Sequence, residues 1–389
     1  MELDTGRSSI KSCRSPLYKV GFVRSTVALG VPFTRSIRFR YDTPRMSLKQ
    51  RTTVITGATR GIGRGLAIAA GEAGAHVIIT GRTETGQFSL EATAERVREA
   101  GGTCEYYVVD LGNDKDVASF FENMKTNLQK QNRTLDVFVN NAYAGVNFLT
   151  ESGGVPFWLK NTSHPTKEDS QSDPGKVWDL LTGVGLRTNY ICAVYATRIM
   201  AGQGEGGLIV NVSSWGGLVS IFDAVYAVGK SAVDRLSAEI AANAPPKVQC
   251  FTLWPGFVGT EALLELRNQA GAHSRDLRAE VREKLSEMPL WNAETPLFVG
   301  RVLAAIVTKN RRTLKSMDGR IVIAAEAANK FGINDENGFR PVSFRTLRFA
   351  ALNAIPALRN SPFRHLIPAS LCAPWWLTRA LMGAVQFWS

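Results

Sequence analysis

Residues 52–63 read Thr52-Thr53-Val54-Ile55-Thr56-Gly57-Ala58-Thr59-Arg60-Gly61-Ile62-Gly63. The run Thr53–Thr56 predicts a short strand, the three glycines a tight turn, and Arg64–Gly74 a helix. Such a turn lets backbone N–H groups approach a pyrophosphate at a helix N-terminus. Three glycines alone are weak evidence; their place between a strand and a helix gives them weight.

Working outward, short apolar runs keep alternating with helical patterns. Further strands are predicted at His76–Thr80, Tyr106–Val109, Leu135–Asn140, Leu208–Ser213, Val248–Trp254 and Arg320–Ala324. Helical stretches are predicted at about Ser89–Ala100 and Val117–Gln131. Strands separated by helix-length segments imply βαβ units with right-handed crossovers. The expected fold is therefore α/β: a single doubly wound parallel-sheet (Rossmann) domain with N- and C-terminal extensions. Ligands bind such sheets outside the carboxyl ends of the strands. Two segments break the alternation. Glu151–Lys176 is polar and turn-rich and reads as a surface loop, and Glu261–Asn292 reads as a lid or a plain packing helix.

Charge separates body from ends. Residues 1–45 carry nine Lys/Arg against three acids, residues 339–389 carry six Arg and no acid, and the stretch between is neutral. The expected organisation is a basic extension over 1–48, a body over 49–338 with an insertion at 151–176, and a basic, aromatic tail over 339–389. A nucleic-acid module would carry its basic patch on the folded body, so no nucleic-acid partner is expected. Residues 1–45 are Arg- and Ser-rich without an apolar h-region; they suit an organellar presequence or a disordered extension equally. The tail (Trp375, Trp376, Leu377, Leu381, Val385, Phe387, Trp388, with Arg379) suits a membrane interface better than a span. Packing on the body or on a second subunit is the alternative. The expected location is the endoplasmic reticulum membrane, with mitochondrion or plastid as the alternative through the N-terminal extension. Five scattered cysteines and four histidines show no metal-ligand spacing, so no metal is assigned.

The second strand ends Thr80-Gly81-Arg82, where an NAD site usually places an acid. Arg82, with Arg60 or Arg64, instead offers guanidinium groups to a 2′-phosphate, which favours NADPH/NADP over NAD. Tyr226 and Lys230 stand at i and i+4 on one predicted helix face. An ammonium beside a phenol favours the phenolate and would make Tyr226 a usable acid and base. Ser213-Ser214 ends the fifth strand, where a hydroxyl can polarise a carbonyl.

Thr56–Gly63, Asp110, Asn140-Asn141-Ala142-Tyr143-Ala144-Gly145, Ser213-Ser214, Tyr226–Lys230 and Pro255-Gly256 occur in this order. Over roughly residues 50–330 the chain thus resembles the short-chain dehydrogenase/reductase family. The resemblance implies catalytic roles for Ser214, Tyr226 and Lys230, with Ser213 an open alternative to Ser214. It implies cofactor contacts from Gly57, Arg60, Gly61, Ile62, Gly63, Arg64, Arg82, Asp110, Asn140, Asn141, Ala142, Tyr226, Lys230, Pro255, Gly256 and Thr260. The implied activity is an NADPH-dependent carbonyl reductase or alcohol dehydrogenase, acting on small-molecule ketones such as steroids or xenobiotic carbonyls. A homo-oligomer is also implied.

Two departures from the family pattern stand out. Tyr143-Ala144 is inserted in the Asn-Asn-Ala-Gly motif, and Gly185 falls where the family usually has a catalytic Asn. Asn189, one turn further on, is a candidate substitute. Gly185 keeps a second reading open: a nucleotide-binding scaffold or sensor with weak or no catalysis. Phe157 and Trp158, beside the insertion, read equally as pocket border or core.

Overall fold

The computed structural model describes residues 47–219, 223–265 and 290–361, with 363, 366–368, 371–374 and 376–378 beyond them. The N-terminal extension up to residue 46, most of the expected lid and the tail from 379 onward lie outside the described residues.

Strands β1 (Thr52–Thr56), β2 (His76–Gly81), β3 (Thr103–Val108), β4 (Val137–Asn140), β5 (Gly207–Val212), β6 (Val248–Trp254) and β7 (Ile321–Ile323) form one sheet. Its order is β3-β2-β1-β4-β5-β6-β7, and every pairing is parallel. A parallel sheet needs cover on both faces, and β1, β2, β4 and β6 are buried along their whole length. Alternate side chains sort to the two faces. Ile55, Val137 and Val139 join one core with Leu66, Leu90, Val97 and Phe298; Val54 and Phe138 join the other with Phe120, Phe121, Met124 and Met200.

The covering helices of the first face are α1 (Gly61–Glu72) and α2 (Leu90–Glu99). On the second face lies α3 (Asp114–Lys130). Side-chain caps set several starts: Ser89 Oγ accepts from Ala92 N (3.1 Å) before α2, and Asn113 Oδ1 accepts from Lys115 N (3.0 Å) before α3. After β4 come α4 (Val146–Glu151), α5 (Pro174–Thr182) and α6 (Thr188–Gly202). Between α5 and α6 the chain makes a wide turn, with Val184 and Gly185 out of helical geometry. Helix α7 (Ala224–Asn243) precedes β6, and α8 (Pro296–Val307), capped by Thr295, covers the first face. The remaining helices are α9 (Arg311–Met317), α10 (Ala324–Phe331) and α11 (Leu347–Ala354).

The strand order reverses between β1 and β4, so the crevice opens where the Gly57 turn meets Asn140–Ala142. Residues grouped with the tail also touch the body. Phe344 stacks on Trp215 at 5.6 Å, Arg345 pairs with Glu326 at 3.1 Å, and Asn292 Oδ1 accepts from Val342 N at 2.7 Å. The segment immediately after Ser214 is thus braced by the chain beyond residue 339.

Candidate active site

The turn after β1 is held open for a ligand by its neighbours' amides. Thr56 Oγ1 donates to Val139 O (3.2 Å) and accepts from Asn141 N (3.0 Å) and Ala142 N (3.1 Å). Asn141 Nδ2 donates to Thr56 O and Gly57 O at 2.9 and 3.1 Å. Gly63 must lack a side chain: a Cβ there would lie 2.2 Å from Gly57 O and 2.5 Å from Asn141 Nδ2. Asn140 is buried, donating to Asn189 O (3.1 Å) and Asn211 Oδ1 (2.8 Å). The side chains of Asn140 and Asn141, expected as cofactor contacts, therefore spend their amides inside the protein, where they brace the turn and couple β4 to β5.

The N-terminus of α1 already takes an anion. Gly61 N donates to Glu261 Oε2 at 2.9 Å. Thr260 faces the same turn, with its Cγ2 3.5 Å from the place of a Gly61 Cβ. Ile62 packs partly into the core behind it. Arg60, the residue before α1, and Arg82, after β2, are exposed, and Arg64 is half-buried. Asp110 is exposed and turns its Oδ1 to Gly112 N (3.0 Å). This end of the crevice fits a diphosphate: a side-chain-free turn, helix N–H groups, and a carboxylate now standing on one of them.

Opposite the turn, α7 carries Tyr226, Lys230 and Asp234 at successive i+4 positions. The Tyr226 phenol is hydrogen-bonded to Ser214. Lys230 Nζ donates to Val212 O at 3.3 Å and lies 5.8 Å from the Tyr226 ring centroid. Ser213 turns inward instead, donating its Oγ to Lys230 O at 3.1 Å. Of the two serines, Ser214 is the one that meets the phenol.

Burial dominates the electrostatics, contrary to the expected sharpening of the phenol by the ammonium. Desolvation pushes Tyr226 above its ordinary value, with the Ser214 hydrogen bond pulling back. Desolvation brings Lys230 down to about 8, opposed by the Asp234 carboxylate. Asp234, bonded by Trp254 Nε1 at 2.8 Å, is itself raised to about 6 by burial. Beside Pro255-Gly256, Glu294 Oε2 accepts from Gly256 N at 2.9 Å, and burial raises this carboxyl to about 8.

Three features were invisible in sequence. Tyr143 lies edge-on to Tyr226 (5.8 Å between centroids, 74° between planes) and under Lys230 Nζ (5.0 Å to its centroid). Lys160, in the middle of the expected surface loop, is buried and pairs with Asp223 Oδ2 at 2.9 Å while donating to Ser152 Oγ at 3.0 Å. Asp223 also caps α7 through Val225 N (2.7 Å), so this insertion is pinned to the helix that bears Tyr226. The third is the Glu261 carboxylate on Gly61. None has a periodicity or motif, because each joins distant parts of the chain. Asn189 meets the site through its backbone carbonyl, and Phe157 and Trp158 stand exposed, edge to face at 5.4 Å, outside the core. Among the described residues no cluster of His, Cys, Asp or Glu is arranged to hold a metal ion.

Comparison with known proteins fits this geometry. The family model for short chain dehydrogenase matches residues 51–271. The chain is similar to Dehydrogenase/reductase SDR family member 1 of Mus musculus, at 34% identity over 331 residues, covering 85% of this chain and 96% of that protein. It is 31% identical over 228 residues to a 3beta-hydroxysteroid dehydrogenase of Mediterraneibacter gnavus, covering 58% and 72% respectively. A Beutenbergia cavernae structure with NADP bound at low occupancy superposes with a TM-score of 0.52 at 25% identity, covering 72% of this chain and 97% of its own. With an all-parallel sheet, a glycine turn at its switch point and Ser214, Tyr226 and Lys230 converging across from it, the chain belongs to the short-chain dehydrogenase/reductase family and is an NAD(P)-dependent oxidoreductase.

Proposed function

We propose that the protein is an NADPH-dependent carbonyl reductase working through Ser214, Tyr226 and Lys230. The observation that carries this reading is the Tyr226 phenol, hydrogen-bonded to Ser214 and one helical turn from Lys230, with its ring against Tyr143, which directly follows the Asn141-Ala142 amides held on Thr56. Gly57, Gly61, Ile62 and Gly63 would hold the diphosphate, and Thr260 and Lys230 the nicotinamide end. When bound, the reduced cofactor supplies the hydride. Ser214 Oγ hydrogen-bonds the ketone oxygen and polarises it. Tyr226 Oη releases its proton to that oxygen as negative charge builds on it. A phenol pushed upward by burial stays protonated at neutral pH, which suits reduction: an alkoxide is a far stronger base than a phenolate. Lys230 places a positive charge beside the phenol and favours the phenolate left behind.

Arg60, Arg64 and Arg82 support the choice of NADP(H), since guanidinium groups match a 2′-phosphate. Steroid-like or xenobiotic ketones fit as substrates, in keeping with the hydroxysteroid dehydrogenase relative and the exposed aromatics Phe157 and Trp158 on the insertion. Tyr226→Phe should lower NADPH oxidation across a ketone panel by at least about a thousandfold, with NADPH binding retained within threefold. Equal turnover in that variant would remove Tyr226 as the acid. Gly185 favours a second reading, a nucleotide-binding scaffold; NADPH binding with no turnover on any ketone of the panel would select it.

We also propose that the C-terminal segment meets a membrane surface, the endoplasmic reticulum being the candidate. Phe363, Leu366, Leu371 and Trp376 are each more than half exposed. Among the described residues no helix is long and apolar enough to cross a membrane, so the contact would be interfacial. Truncation after Pro362 should release the protein from pelleted membranes while cofactor binding persists, and unchanged pelleting would exclude the tail as anchor.

A further inference from the structure

Tyr143 occupies a slot that nothing in a nucleotide-binding turn requires. It follows Ala142 at the end of β4 and lies between two glycines. A Cβ on Gly185 would fall 2.5 Å from its Cδ2, and a Cβ on Gly145 would fall 2.7 Å from its Oη. Gly185 sits there at φ +130°, a backbone conformation that side chains rarely adopt, so the ring is seated against bare backbone. The far end of the ring is spent on no polar contact: among the described residues Oη is buried and has no hydrogen-bond partner. Burial, then the neighbouring Tyr226 and Asp223, push this phenol far above its ordinary value, so it neither gives nor takes a proton at neutral pH. What the residue presents to the site is its face and its edge.

The face meets Lys230. The ammonium lies 5.0 Å from the Tyr143 centroid and 5.8 Å from that of Tyr226. Its hydrogen bond among the described residues is one long contact, to Val212 O at 3.3 Å. The titratable groups that face it are Tyr226 and Asp234 on its own helix and Tyr143 across from it. A half-buried cation with so few acceptors gains from the negative faces of aromatic rings. The edge-on contact of the two tyrosines fixes the second ring relative to the first.

We propose that Tyr143 is a positioning residue of the reduction: its ring face holds the Lys230 ammonium in place against the Tyr226 phenol, and its hydroxyl takes no part. The proposal rests on the reading of Tyr226 and Lys230 as the catalytic pair. It assigns a role to the inserted residue and explains the glycine at 185, which leaves the slot free for the ring.

The test is steady-state ketone reduction by the full chain, with NADPH affinity measured in parallel by fluorescence titration. Tyr143→Leu should lower kcat at least tenfold while the NADPH Kd stays within threefold. The alkaline limb of its kcat–pH profile should move at least half a unit to lower pH, because the ammonium loses a group that favours its charge. Tyr143→Phe should rescue most of the turnover and the original profile. Pentafluorophenylalanine at 143 keeps the ring's shape but reverses the charge on its face, and it should behave like the Leu variant even if that variant folds poorly. A pentafluoro variant with the Phe variant's turnover and pH profile would overturn the proposal, as would a Phe variant as damaged as the Leu variant. Lys230→Met separates the two levels: full turnover there would defeat the catalytic pair itself, whereas its loss beside a pentafluoro variant of unreduced turnover would defeat only the role of Tyr143.

Discussion

The two walls of the crevice are built on different principles. The wall formed by β1 and β4 is a network of backbone and amide bonds in which Thr56 Oγ1 serves three neighbours and Asn141 Nδ2 two. The wall formed by α4, α5 and α7 relies on charges and rings: Lys160 with Asp223, Lys230 over two tyrosines, and a phenol oxygen with no hydrogen-bond partner among the described residues. The first wall fixes a backbone shape and tolerates changes that preserve it. The second depends on ionisation and on exact side-chain volume, so it is the more sensitive to pH and to substitution.

That contrast can be broken by experiment. The largest effect is expected at the buried pair. Lys160→Met leaves the buried Asp223 carboxylate with the Val225 N–H but without its counter-ion at the start of α7, and removing one member of such a pair costs about 3–5 kcal/mol. Urea unfolding should show this loss, with kcat reduced as the helix bearing Tyr226 shifts. A loss below about 1 kcal/mol would put this pair in the class of surface contacts and remove the contrast. Next is pH. Lys230 is drawn from its ordinary range down to about 8, so its ammonium is present below that pH and is lost as pH rises through it. Turnover in ketone reduction should therefore fall roughly tenfold per unit above that value, whereas an unperturbed lysine would hold it nearly to pH 10. A flat kcat between pH 7 and 10 would show that the charge is not used. The smallest effect belongs to the first wall. Glu261 holds the N–H of Gly61 with a carboxylate that an incoming diphosphate must displace. Glu261→Gln should tighten the NADPH Kd by about fivefold, near 1 kcal/mol, the worth of one such hydrogen bond. Weaker binding in that variant would make Glu261 a support of the cofactor site instead of a competitor.

The same division explains what could be read in advance. The sheet and its crevice follow from local rules. β-branched runs such as Thr53–Thr56 must be strands, and a turn in which Gly63 touches Gly57 O admits no side chain, so the pattern is written in residue identity. Tyr226 and Lys230 were legible because helical spacing alone puts them on one face. Tyr143 with Gly185, Lys160 with Asp223, and Gly61 with Glu261 were not, since their partners lie 42, 63 and 200 residues apart in sequence and meet only once the sheet has formed. The net rise of the Tyr226 phenol was hidden for a related reason. Spacing predicts that two groups are neighbours, but the depth of burial that decides their charge states belongs to the whole fold. Likewise, a stretch as polar as Glu151–Lys176 looked solvated because nothing near Lys160 in the chain hints that its charge is answered by Asp223.

The seat of Tyr143 also restricts how this sequence can drift over generations. Any β-carbon at position 185 collides with the aromatic ring, and a small residue at 143 leaves a void beside the lysine, so 185 has no tolerated single step and 143 only a step to another ring such as phenylalanine. Descendants of this gene can abandon the arrangement only by exchanging both together, and the aromatic ring and the glycine should be inherited, or lost, as a unit.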